Sequence, residues 1–165
     1  MDINVYNGTP EQLRAAWPLT RVASPPVSAA DFPSSELSIG GVDSGETETN
    51  VLNQLGEPLN RVETGEGTEF RYPGLIVTIA WLEDQGPGIQ RRVAALKGTG
   101  AQACTPKGLC PGMPVAKVAQ LYGPTEPVVR ETGSFLEYQP DGPACWLQVS
   151  ASQGLVQSLA IACQP

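Results

Sequence analysis

Apolar and polar positions alternate along most of the second half of this chain, in short runs separated by glycine and proline. Cys145–Ser150 and Leu155–Ala162 each alternate with a period of two, which predicts strands. They flank Gln153-Gly154-Leu155, which reads as a hairpin turn. Centring that turn on Gly154 sets Cys145 opposite Cys163, Leu147 opposite Ile161 and Val149 opposite Leu159. A directly opposed cysteine pair can close a disulfide if it is a non-hydrogen-bonded pair.

Matching segments stand earlier in the chain. Val51-Leu52-Asn53-Gln54-Leu55-Gly56 and Val118-Ala119-Gln120-Leu121-Tyr122-Gly123 are short apolar stretches ending in glycine. Each predicts a short helix. Gly45 maps to Gly112, Val51 to Val118 and Gly56 to Gly123 at one constant offset. Ser44 is a candidate cap for the first helix, and Pro114 suits the first turn of the second. Gly56 and Gly123 stand where a helix end favours a left-handed residue.

Four strands are expected after each helix. The first pair is 59–64 and 125–131, the second 70–72 and 136–138, the third Leu75–Leu82 and Cys145–Ser150, and the fourth Val93–Lys97 and Leu155–Ala162. Trp81 shares a face with Val77 and Ile79 and is expected in the core. The expected fold is α+β: two tandem helix-plus-antiparallel-meander units, each a short helix packed on a small three- to four-stranded sheet. The units span 37–103 and 104–165. Residues 1–36 read as an N-terminal arm, with a short helix at 10–17 before a proline-rich stretch. Trp17 and Phe32 are the arm's candidate partner-docking residues.

Composition narrows the class. The chain has 165 residues, is 41% hydrophobic and only 16% charged, so it can build a core. Its 18 Gly and 16 Pro favour many turns over long helices. A net charge of −7 with scattered basic residues disfavours nucleic acid. No apolar run reaches the length of a membrane span. Met1-Asp2-Ile3-Asn4 lacks the features of a signal peptide.

Four cysteines, Cys104, Cys110, Cys145 and Cys163, allow three pairings. The hairpin register supports Cys145–Cys163, which leaves Cys104 and Cys110 to close a short loop. The alternative is four buried thiols. Disulfides imply an oxidising compartment: periplasm, lumen or secreted space. No C-x-x-C spacing is present, and the chain has no His, so neither a zinc site nor any other metal is expected.

No cofactor and no enzymatic activity are expected. Without histidine there is no Ser-His-Asp or Cys-His pair. The carboxylate pairs Glu46/Glu48 and Glu83/Asp84 sit at polar positions, the first at a helix N-terminus where acidic residues are favoured anyway.

Binding is the remaining class. Register puts Trp146, Gln148, Ser150, Ser158, Ala160 and Ala162 on the face opposite the cysteines. That face is expected to be open and to bind a protein through Trp146 and Gln148. Phe135 and Glu137 of the neighbouring strand join it, and Arg71 stands where Glu137 does in the first unit. Glu83 and Asp84 tip a loop between two strands.

The series Gly45-Glu46-Thr47 (degenerate as Gly112-Met113-Pro114), an apolar helix, Leu-Gly-x-Pro or Leu-x-Gly-Pro and a meander resembles the small-protein-A-like proteins. These include an outer-membrane assembly lipoprotein and a tandem-repeat β-lactamase inhibitor protein. The resemblance covers about residues 39–163. It implies binding to a protein partner, in one of two ways. One is as an accessory subunit of an envelope or membrane-associated assembly. The other is as a secreted enzyme inhibitor that inserts the Glu83-Asp84 loop.

Overall fold

The computed structural model describes residues 32–81, 90–141 and 144–163. A 3-10 turn at Ser34–Glu36 leads into a two-stranded ribbon, β1 (Ser38–Ile39) and β2 (Val42–Asp43). Helix α1 (Glu48–Leu55) follows. Then come β3 (Asn60–Thr64), β4 (Gly67–Tyr72), β5 (Leu75–Ala80) and β6 (Arg92–Gly98). Helix α2 (Ala116–Tyr122) precedes β7 (Val128–Arg130), β8 (Gly133–Tyr138), β9 (Cys145–Ser152) and β10 (Leu155–Cys163).

The eight strands after α1 form one antiparallel sheet in the order β3-β4-β5-β6-β10-β9-β8-β7. This overturns the expectation of two small helix-plus-sheet units. β6 and β10 would each be the outer strand of a separate meander. Instead they pair, with Leu96 opposite Ile161, Lys97 opposite Ala160 and Gly98 opposite Leu159. The pairing satisfies two rows of backbone groups that separate sheets would leave exposed. Sheet therefore dominates, with only two short helices among the described residues.

The hairpin register of β9 and β10 agrees with the alternation in the sequence, by an unforeseen route. A two-residue turn at Gln153-Gly154, both in the left-handed region, sets Leu155 against Ser152. A bulge between Val156 and Ser158 then shifts the pairing by one residue. From there Leu159 faces Val149, Ile161 faces Leu147 and Cys163 faces Cys145. Cys145–Cys163 and Cys104–Cys110 are both disulfides.

Two aligned cross-strand rows define the sheet faces. In one, Phe70, Val77, Leu96, Ile161, Leu147 and Tyr138 pair in sequence across β4, β5, β6, β10, β9 and β8. All six are at most 3% exposed. The helices, with Val51 and Val118 buried, and the β1–β2 ribbon cover this face. At Gly98 the segment after β6 and the ribbon press so close that a Cβ would lie 2.6 Å from the Ala103 Cβ and 2.9 Å from Ile39 Cγ2.

The two halves make matching bonds. Gly45 N–H donates to Val93 O and Gly112 N–H to Val156 O. Val93 N–H returns a bond to Glu46 O, and Val156 N–H to Met113 O. Each helix closes on a positive-φ glycine, Gly56 or Gly123, whose carbonyl accepts a tyrosine hydroxyl, Tyr72 or Tyr138.

Three local expectations are corrected. Thr47, not Ser44, caps α1, its side chain accepting from Asn50 N–H. The α2 cap position is Val115, without a side-chain bond. Trp81 is 64% exposed, because β5 stops at Ala80 and leaves the indole beyond the packed face.

Candidate functional site

The second cross-strand row lies on the opposite face. It runs Asn60, Arg71, Ile76, Lys97, Ala160, Gln148 and Glu137 across seven adjacent strands. None of the seven is buried. At the usual strand spacing the row is ~29 Å long. Strand parity forces the result from Arg71 to Glu137: each of these six sits one position from a core residue, so its side chain must point away from the helices, and Asn60 joins the row by pairing opposite Arg71.

The row's ends carry opposite charge arrangements. Glu137 holds Arg130 in a fork of 2.6 and 3.0 Å and also accepts from Gln148 Nε2 at 2.8 Å. That pairing lifts the already high pKa of the Arg130 guanidinium, through the hydrogen bond first and the charge second. Near the other end, beside Asn60, Arg71 holds Glu69 at 2.8 Å. Between them Ile76, Lys97 and Ala160 make a small, weakly charged strip. With a single charge, this strip costs less to desolvate than the ion pairs that flank it.

The structure brings Arg71, Gln148 and Glu137 together in this row, as their shared face implied. Trp146 lies on the same face opposite Ala162 but is only half-exposed. Its indole Nε1 is buried with no hydrogen-bond partner among the described residues. Phe135 is corrected from a contact residue to a buried one, at 6% exposure. Ser150 and Ser158, on that face too, are also buried, so the open surface is narrower than alternation alone suggested.

Phe32 is corrected as well. It is fully buried, with its ring 5.2 Å from Tyr122 and 5.7 Å from Tyr138, and so belongs to the core instead of a partner-seeking arm. Trp17, Glu83 and Asp84 lie outside the described residues.

Two polar clusters escaped the sequence. Arg91 donates to both Glu48 oxygens at 2.9 and 3.3 Å and to Thr68 Oγ1 at 2.9 Å, tying the start of β6 to α1 and β4. Glu46 accepts from Asn50 Nδ2 at 2.8 Å. The Glu46/Glu48 carboxylates thus hold separate structural bonds. The second cluster is Glu36, Tyr122 and Thr105, bonded in series across distant parts of the chain. Nothing in the local pattern hinted at the first, since Glu48 and Arg91 both stand among polar neighbours. Among the described residues, no three His, Cys, Asp or Glu side chains converge as metal ligands would.

No family model matches the chain, and no curated protein matches it. A solved structure from Bacillus anthracis str. Ames, of an extracellular protein containing a SCP domain, is similar in fold. The TM-score is 0.52 over 88% of this chain, at 13% identity. The match spans 50% of that protein's length, about half. At this identity the likeness concerns fold alone. The two disulfides fit an oxidising environment. Among the described residues no helix is long and apolar enough to cross a membrane.

Proposed function

We propose that this protein is a non-catalytic protein-binding module of an oxidising, extracytoplasmic compartment, acting as an accessory subunit of a larger envelope or membrane-associated assembly. The observation that carries this reading is the Asn60-to-Glu137 row: one unburied stripe across seven strands, on the face opposite both helices. A partner laid along it would cover the Ile76–Lys97–Ala160 strip and meet an anchored ion pair at each end.

Three further points support the reading. The sequence resembles the small-protein-A-like proteins, which bind protein partners. The matching bonds of the two halves fit a duplicated binding unit. The fold neighbour is itself described as extracellular.

The test is co-purification from the native source with three variants. The pair Lys97→Glu and Ala160→Arg places charge and bulk in the middle of the row. Deleting residues 1–30 removes the arm but spares Phe32 and Glu36. Glu83→Ala with Asp84→Ala alters the acidic loop. The row variant is expected to lose its partner; if it retains it fully, the reading is wrong.

A second reading, a secreted enzyme inhibitor, draws on Trp81. Its large exposed indole stands directly before residues 82–89, which include Glu83 and Asp84. That reading expects the loop variant to lose the partner and the row variant to keep it. In either case the purified protein should show no hydrolytic activity that depends on a carboxylate pair.

A further inference from the structure

The Cys104–Cys110 loop does more than close on itself. It holds the chain segment that precedes β1. Thr105 N–H donates to Leu109 O and Gly108 N–H to Thr105 O, so the loop is a compact turn under its disulfide. Its Cys104 carbonyl accepts from Gly40 N–H at 2.9 Å.

Glu36 makes the connection decisive. This carboxylate is only 5% exposed. It accepts from Lys107 N–H at 3.1 Å and from the Tyr122 hydroxyl at 2.7 Å. Lys107 lies inside the disulfide loop. The Tyr122 oxygen is 2.6 Å from Thr105 Oγ1, which in turn accepts from Leu109 N–H at 3.1 Å. A phenol has one proton, so with Tyr122 donating to Glu36, Thr105 must donate to Tyr122. The chain of donors runs Leu109, Thr105, Tyr122, Glu36, and it starts in the loop. Both bonds to the carboxylate therefore depend on loop geometry. Phe32, four residues before Glu36, is wedged against Tyr122 and Tyr138 in the same region.

A buried carboxylate tolerates burial only while its donors stay in place. If the loop opens, Glu36 must regain water, and the segment carrying Phe32 must leave with it. We propose that the Cys104–Cys110 disulfide is a redox latch, holding Phe32–Leu37 in the fold when oxidised and releasing it when reduced. The inference goes beyond the binding reading and does not depend on it.

The reductant is a dithiol. One of its thiolates attacks Cys104 or Cys110, forming a mixed disulfide and releasing the other cysteine. Its second thiol then closes the reductant's own disulfide and frees the first cysteine. Two electrons pass to the protein, and two protons end on Cys104 and Cys110. Selectivity follows from loop size and cover. Cys104–Cys110 spans a separation of 6 residues, against 18 for Cys145–Cys163, so it constrains the unfolded chain less. The larger pair is capped by Ser44, whose Oγ lies 3.7 Å from Cys163 Sγ and 3.9 Å from Cys145 Sγ.

The experiment titrates the full oxidised chain with dithiothreitol. Alkylation and mass spectrometry assign the reduced pair, and amide exchange is followed by NMR. The double variant Cys104→Ser with Cys110→Ser is measured alongside without reductant. In both, exchange at the Leu37 and Gly40 amides should rise at least tenfold while the β9 and β10 amides stay protected. Unchanged protection at Leu37 and Gly40 overturns the latch. So does simultaneous loss of β9–β10 protection, which would mean global unfolding. Reduction of Cys145–Cys163 at the same or lower dithiothreitol concentration overturns the selectivity and with it the proposal.

Discussion

The Tyr138 hydroxyl donates to the Gly123 carbonyl at 2.7 Å, closing the C-terminal end of α2 onto the sheet. Tyr72 does the same to Gly56 at 2.9 Å in the other half. In each half a strand residue thus satisfies a carbonyl at the helix's glycine cap. Tyr138 is buried, whereas Tyr72 is partly exposed and water can replace it. Tyr138→Phe should therefore cost about 1–2 kcal/mol, and Tyr72→Phe less than about 1 kcal/mol. Urea unfolding of the two variants checks the order.

The phenols of Tyr122 and Tyr138 set the alkaline limit. Burial is the main cause holding both pKa values well above the ordinary tyrosine range. For Tyr122 the Thr105 hydrogen bond opposes the rise and Glu36 adds to it; for Tyr138 the neighbouring Tyr122 adds to it. The folded chain keeps protons that the unfolded chain releases near pH ~10. Their contribution is intact below that pH and is lost as pH rises beyond it. Melting temperature should be flat from these groups between about pH 8 and 9.5 and fall above about pH 10. Tyr122→Phe should flatten part of that fall.

Gly98 should tolerate no side chain. Gly98→Ala forces Ala103 or Ile39 aside, because a Cβ there would sit within 3 Å of both. A loss of about 1–3 kcal/mol is expected, read from denaturant midpoints. By contrast Trp81→Ala, at an exposed site, should change stability by no more than about 0.5 kcal/mol.

Loss of Cys145–Cys163 should be the larger of the two disulfide effects. The Cys145→Ser, Cys163→Ser chain should unfold about 3 kcal/mol more easily, on the chain-entropy model for a loop of this size. Intact mass of the wild-type chain should rise by about four hydrogens on full reduction, one for each cysteine.

Local features were legible in the sequence where a short-range rule governed them. Alternation fixed which face Leu147 and Gln148 take, and glycine marked both helix ends. Centring the turn on Gly154 gave the hairpin register from Ser158 onward, and set the cysteines opposite each other, even though the bulge before Ser158 was invisible. The sheet as a whole was not legible. Whether β6 and β10 end two sheets or join one depends on edges meeting between segments some sixty residues apart, and alternation says nothing about that. Phe32 was misread because a proline-rich stretch without periodicity gives no sign that one ring is buried against Tyr122 and Tyr138. Trp81 was misread because parity predicts a face but not where a strand stops. The site was half legible: Arg71, Gln148 and Glu137 share a face by parity, but their alignment in one row needed the register of six strand pairs.

Photo-cross-linking at Lys97, compared with Asn53 on α1, tests the central claim most directly. Both positions are exposed, and they belong to opposite faces of the sheet. With the tagged chain in its native source, a photoreactive residue at Lys97 should yield an adduct to one protein of defined mass, and the same residue at Asn53 should yield none. An adduct from Asn53 alone, or equal adducts from both, would contradict binding through the open row.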